Sequence, residues 1–182
     1  MSVIIPSFDL VIPNGNEEEF IERALALGYN EIIFLSMNIN YVKPISENII
    51  VKTAYLLKDV SEISQARKKF DYICAKSDRK YFESKIDFIL DAELSDRRDS
   101  FHYKSTSLNQ VHAGLAKENE IQIVLSFSNL FLDTCNVMGK LFQNAILIKK
   151  YRLTHLTLSV ATRPELMRSR TILTALESVL RL

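Results

Sequence analysis

The sequence predicts an α/β protein of repeated βα units around a parallel sheet; a barrel and an open doubly wound sheet both fit, and the pattern leans towards the barrel. Two observations carry this. Short β-rich runs alternate with amphipathic helical segments from one end of the chain to the other, the pattern of parallel strands joined by crossover helices. No Gly-rich nucleotide loop follows any of those strands, and a barrel can carry function on its strand-exit loops without one, whereas an open doubly wound sheet usually uses it. At 182 residues with 47% hydrophobic content the chain has the length and apolar surface for one sizeable core, so residues 1–182 are read as a single domain.

The elements follow in order. Phe8 to Ile12 alternates as a strand, and Asn14-Gly15-Asn16 breaks it and supplies a cap before Glu17-Glu18-Glu19, whose charges suit a helix N-terminus. That helix runs to Gly28, a C′ glycine, and Glu31 to Met37 is a buried strand on Ile32, Ile33, Phe34 and Leu35. Asn38 to Glu47, with Pro44, reads as a loop. Asn48 to Leu57 is the next strand, and Ser61 to Lys69 a helix ending in Arg67, Lys68 and Lys69. Asp71 to Ala75 and Asp87 to Leu90 are short strands, each opened by Asp, with a polar helix around Tyr81 to Lys85 between them. After a loop at Ser95 to Ser107 come a helix from Leu108 to Asn119, a β-branched strand from Ile121 to Phe127, a longer helix from Thr134 to Tyr151, a strand from Leu156 to Val160 and a closing helix from Arg168 to Leu182. No tandem repeat, linker or low-complexity tract interrupts the series.

Composition narrows the function classes. A formal charge of +1 and a sequence pI near 7.7 give no broad basic field, so any nucleic-acid contact must come from local patches. Cys74 and Cys135 lie far apart and read as reduced core thiols. The N-terminus has no basic segment leading into an apolar one, and no apolar stretch reaches a membrane span, so a soluble cytoplasmic protein is expected.

Chemistry by the chain alone has little support. A metal phosphoesterase would need clustered His, Asp and Glu, yet the histidines are His102, His112 and His155. His112, on a helix, and His155, opening a strand, read as ordinary surface or capping residues. There is no nucleophile elbow, no phosphate-binding loop, and no His beside either Cys in sequence. No catalytic residue, metal ligand or bound cofactor is therefore assigned. Arginines do gather at expected strand exits, Arg97 and Arg98 in one loop and Arg163, Arg168 and Arg170 in another. Guanidinium groups fork onto phosphate oxygens, so these could neutralise an RNA backbone; the ordinary alternative is solubility. Asp96 and Asp99 flank Arg97 and Arg98 as a self-neutralised loop, and Arg67-Lys68-Lys69 and Lys149-Lys150-Tyr151-Arg152 read as solvated helix ends.

The segment from Asp96-Arg97-Arg98-Asp99 through Ser107-Leu108-Asn109 and Leu115-Ala116-Lys117-Glu118-Asn119 to Phe127-Ser128 resembles the archaeal ribonuclease P protein component 3 family. So does Leu158-Ser159-Val160-Ala161 followed by Leu166-Met167-Arg168-Ser169-Arg170, and Asp71-Tyr72-Ile73 and Asp87-Phe88-Ile89-Leu90 match two of that family's Asp-led strands. The likeness is clear after Asp71 and faint before it. Gln110 stands where many relatives have His, and Thr171 where they have Asp, which removes those two hydrogen-bonding groups.

The resemblance implies a TIM-barrel-like fold related to metal phosphoesterases but without their ligands. Relatives usually follow the last helix with another strand and helix, so an incomplete barrel, truncated at the C-terminus and short of eight units, is the expectation. It also implies a protein subunit of the ribonuclease P endoribonuclease, partnered by component 2, that helps the catalytic RNA and its Mg²⁺ remove 5′ leaders from precursor tRNA. Arg97, Arg98, Lys117, Arg163, Arg168 and Arg170 would then sit near the strand-exit rim and touch RNA phosphate. A metal-dependent phosphoesterase on the same barrel and a purely structural protein-binding subunit are the alternatives.

Overall fold

The computed structural model describes residues 7–94 and 104–182. Among them the order is β1 (Phe8–Val11), α1 (Glu17–Ala26), β2 (Glu31–Ser36), β3 (Ile50–Leu56), α2 (Ile63–Ala66), β4 (Tyr72–Lys76), α3 (Arg79–Phe82), β5 (Phe88–Leu90), α4 (Gln110–Glu118), β6 (Gln122–Ser126), α5 (Thr134–Tyr151), β7 (His155–Leu158) and α6 (Arg170–Leu180). All seven strands are parallel and pair in sequence order. The ring then nearly closes: Val11 bridges Ala161, and the Ile12 N–H donates to the Ala161 carbonyl at 2.8 Å. The barrel expected from the sequence is present, with seven strands meeting at a narrow β7–β1 seam. No helix among the described residues is long and apolar enough to cross a membrane.

Strand alternation separates two apolar layers. Leu10, Ile33, Leu35, Ala54, Cys74, Leu90, Val124, Leu156 and Leu158 fill the barrel interior. Glu31, Lys52 and Tyr72 share that inward phase near the strand starts, where the Lys52 ammonium lies 3.0 Å from Glu31 and 3.2 Å from the Tyr72 hydroxyl. This pairing holds a partly exposed cation at the open end of the interior. The outward residues pack under the helices in two groups, one around Phe20, Phe34 and Met167 and one around Ile73, Phe82, Ile123 and Leu141.

The aspartates that open the short strands tie neighbouring strands together. Asp71, just before β4, accepts the Thr53 N–H of β3 at 2.8 Å, and Asp87, just before β5, accepts the Ile73 N–H of β4 at 2.6 Å. Asp9 does the same across the seam. Its Oδ1 takes the N–H of Ser159 at 2.8 Å and of Leu10 at 2.9 Å. A charge-assisted bond of this kind substitutes for ladder hydrogen bonds where strands diverge.

Several sequence expectations are corrected. The helix expected from Ser61 to Lys69 is shorter: a 3₁₀ turn (Val60–Glu62), capped by the Asp59–Glu62 capping box, runs directly into a single α-helical turn that ends at Ala66. Asn16 occupies the N-cap of α1, but its side-chain oxygen accepts the Asn14 N–H instead of a helix amide. Cys135 is exposed, since it falls on the outward row of α5; Cys74 is buried and both thiols are free. His112 is buried at 5% exposure, stacked 4.5 Å from the Phe82 ring with Nδ1 2.7 Å from the Ser107 carbonyl oxygen, so it is a core residue.

If the seam depends on Asp9, Asp9→Ala should lower unfolding free energy by about 1–3 kcal/mol, the cost of leaving buried N–H groups unpaired. Asp9→Asn keeps an acceptor and should cost clearly less. Urea denaturation near pH 8, above the Asp9 value of about 6, checks both, and equal losses would argue against the seam bond.

Candidate functional site at the strand exits

Parallel strands deliver all their C-terminal ends to one face, so the residues just past each strand converge there. The exits of β5 and β6 are joined by a buried polar cluster. Asp91 leaves β5 with φ +58°, a left-handed turn that Asp tolerates better than most residues. Two residues on, Glu93 is fully buried, and its Oε1 accepts from Asn129 Nδ2 at 2.9 Å and from the Ser126 N–H at 3.3 Å. The same Asn129 Nδ2 reaches Asp91 Oδ1 at 3.0 Å, so one amide serves two carboxyl groups. Glu93 Oε2 and the hydroxyls of Ser126 and Ser128 are buried without a hydrogen-bond partner.

Burial pushes the Glu93 carboxyl up to about 7; the Asn129 bond pulls down and the Asp91 charge pushes up again. Burial likewise raises Asp9 to about 6, against the pull of its Ser159 bonds. These carboxyl groups secure the exits. Among the described residues, no three His, Cys, Asp or Glu side chains gather in a way that could hold a metal ion.

Arg168 clamps the next exit. Its guanidinium carbon lies 5.6 Å from the Phe127 ring centroid and 5.2 Å from that of Phe131, in the 3₁₀ segment after β6. Its Nη1 donates to the carbonyls of Glu165 (2.8 Å) and Met167 (3.0 Å). The backbone is held as well: its N–H donates to Ser159 Oγ at 2.9 Å and its carbonyl accepts the Tyr29 hydroxyl at 2.8 Å. Cation–π contact and hydrogen bonds thus give this arginine a packing role.

The other basic residues fall in different places. Arg163, just after β7, is exposed and makes no ion pair with a described residue. Arg170 begins α6 with Nη2 3.4 Å from the Gly28 carbonyl, beside the turn that precedes β2 and therefore toward the strand starts. Lys117 is exposed in the last turn of α4, which leads directly into β6. Its expected place on the exit rim is corrected: a crossover helix carries the chain back, so its C-terminus lies at the opposite end. Arg97 and Arg98 lie outside the described residues.

Sequence reading missed four exposed cations at the exits of β3 and β4: Lys58, Lys76, Arg79 and Lys80. Arg79 pairs with Glu83 at 2.9 Å and Lys80 with Asp59 at 3.5 Å, and the Tyr81 hydroxyl donates to the Lys58 carbonyl at 2.9 Å, joining the two exits. The signal was available, since Lys76 ends its strand and Lys58 follows Leu57.

No protein-family model matches the sequence, and no curated protein matches it. The fold is similar to a chain in the cryo-EM structure of archaeal ribonuclease P with mature tRNA. That likeness has a TM-score of 0.69 and 16% identity, over 94% of this chain and 82% of that one.

A carboxyl whose pKa is raised on folding stabilises the protein below its unfolded value and loses that contribution as pH rises through the folded value. For Glu93 this window runs from 4.5 to about 7. The protein should therefore be more stable at pH 5 than at pH 8, and Glu93→Gln should flatten that difference. Denaturant midpoints at the two pH values test this; an unchanged slope in the variant would refute the assignment. Arg168→Ala should cost about 1–3 kcal/mol of stability, read by the same method.

Proposed function

We propose that this chain is a protein subunit of a ribonuclease P ribonucleoprotein, of the archaeal component 3 type, and that it assists a catalytic RNA in removing 5′ leaders from precursor tRNA. The observation that carries the reading is the barrel's likeness, over 94% of its length, to a chain of an archaeal ribonuclease P particle. Independent support comes from the motif resemblance at 96–128 and 158–170, which was read from residue identities and not from shape.

On this reading the chain binds and positions and does not cut. Mg²⁺ held by the RNA supplies the hydrolytic chemistry. Arg163, Lys58 and Lys76, exposed at the exits of β7, β3 and β4, offer positive charge to a phosphodiester backbone, together with Arg97 and Arg98. Arg168 acts mainly by holding the β6 and β7 exits, so its loss would disturb the RNA surface indirectly. Lys117 and Arg170 would meet RNA only if it wraps towards the strand starts. Component 2 is the protein partner in this reading, and the particle works in the cytoplasm.

The deciding experiment is reconstitution with the cognate RNA and component 2, followed by precursor tRNA cleavage with and without this chain. The chain should raise the rate or lower the Mg²⁺ requirement; no effect would remove the functional claim. Within that assay, Arg163→Ala should flatten the salt dependence of RNA binding by about one unit of slope without changing stability. An unchanged slope would exclude Arg163 as a phosphate contact.

A further inference from the structure

The helices α5 and α6 are adjacent and pack through their inner faces, where Leu141, Ala145, Ile148, Leu176 and Leu180 enter one buried cluster. Their outer faces are apolar too. Phe142 and Ile146 are 41% and 58% exposed one turn apart on α5, and Ile172 and Val179 are 43% and 54% exposed two turns apart on α6, with exposed Ala175 between them. Inner packing already supplies the fold, so the outer rows are not needed for it. Single exposed apolar residues are ordinary; two rows on neighbouring helices mark a contact surface.

The charges say what kind. Lys149 and Lys150 are exposed in the last turn of α5, Arg170 begins α6, and Arg181 follows its end. The only carboxylate within either helix is Glu177, which is buried at 6% exposure. No ion pair to a described residue neutralises Lys149, Lys150 or Arg181. The face therefore presents apolar rows ending in uncompensated cations.

We propose that this face docks an acidic amphipathic helix of another protein, its apolar anchors lying along the rows and its carboxylates meeting the cations at the helix ends. A second copy of this chain fits badly, because it would set cations against cations. RNA phosphate would meet the cations but gain little from four aliphatic or phenyl side chains. An anionic bilayer would favour cations bordering the rows along their length, whereas here they sit at the helix ends. The inference does not depend on the ribonuclease P reading.

The test places a photo-crosslinking residue at Phe142 or Ile146 in the full-length chain, expressed in its native cells, with exposed Lys43 as a control position. Adducts are identified by mass spectrometry. The expected product at both positions is one protein segment with apolar residues at helical spacing flanked by Asp or Glu. Reversing Lys149 and Lys150 to Glu should then cut its yield at least about tenfold. Adducts to RNA, lipid or a second copy, to a segment without carboxylates, or no adduct above the Lys43 control would each overturn the proposal. Copurification of ribonuclease P RNA is scored separately, so either reading can fail alone. Thermal unfolding of each variant confirms that these surface substitutions leave the fold intact.

Discussion

A parallel sheet of seven strands has two unpaired edges, and everything on the exit face depends on how this chain joins them. The join is narrow: one bridge from Val11 to Ala161, and the buried Asp9 carboxyl accepting the Ser159 N–H. Closing the ring there brings the end of β7 beside β1. Ser159, fixed by Asp9, in turn accepts the Arg168 N–H, and Arg168 reaches the phenyl rings beyond β6. The seam thus passes its geometry to the exits of β6 and β7 through a short run of hydrogen bonds. Burial raises the pKa of that carboxyl while its Ser159 and Leu10 bonds pull it back down, a net cost tolerated because the alternative is an open edge.

The same device recurs where the sheet is weakest. Strands β4 and β5 are short, and Asp71 and Asp87 each seize an amide on the preceding strand. Glu93 repeats the theme at the other end by accepting the Ser126 N–H across the β5 and β6 exits. What the barrel's exit face offers is shape, hydrogen-bonding groups and scattered cations.

Much of this was legible in the sequence. The alternation of strand and helix predicted parallel βα units, and the bounds expected for α5 match its ends, which the Asp133 cap and the left-handed Arg152 set. Asp71 and Asp87 were visible as strand openers, though their grip on the neighbouring strand needed three dimensions. Other features could not be read. Asp9 looks like any polar residue in an alternating strand until β7 arrives beside it, 150 residues later in the chain. Arg168 resembles a phosphate ligand in sequence, whereas its surroundings of Phe127, Phe131 and two carbonyls are tertiary. Cys135 follows the Asp133 cap of α5 between Thr134 and Asn136, polar neighbours that suit the exposed position it takes.

On the proposed reading, this nearly closed barrel offers charge and shape to a ribozyme. Ultraviolet crosslinking in cells, with sequencing of the RNA attached to the chain, tests it most directly. Ribonuclease P RNA and precursor tRNA are the expected RNAs, with the crosslinked peptides coming from the loops beyond the strands. Crosslinks to unrelated RNAs, or none above background, would contradict it.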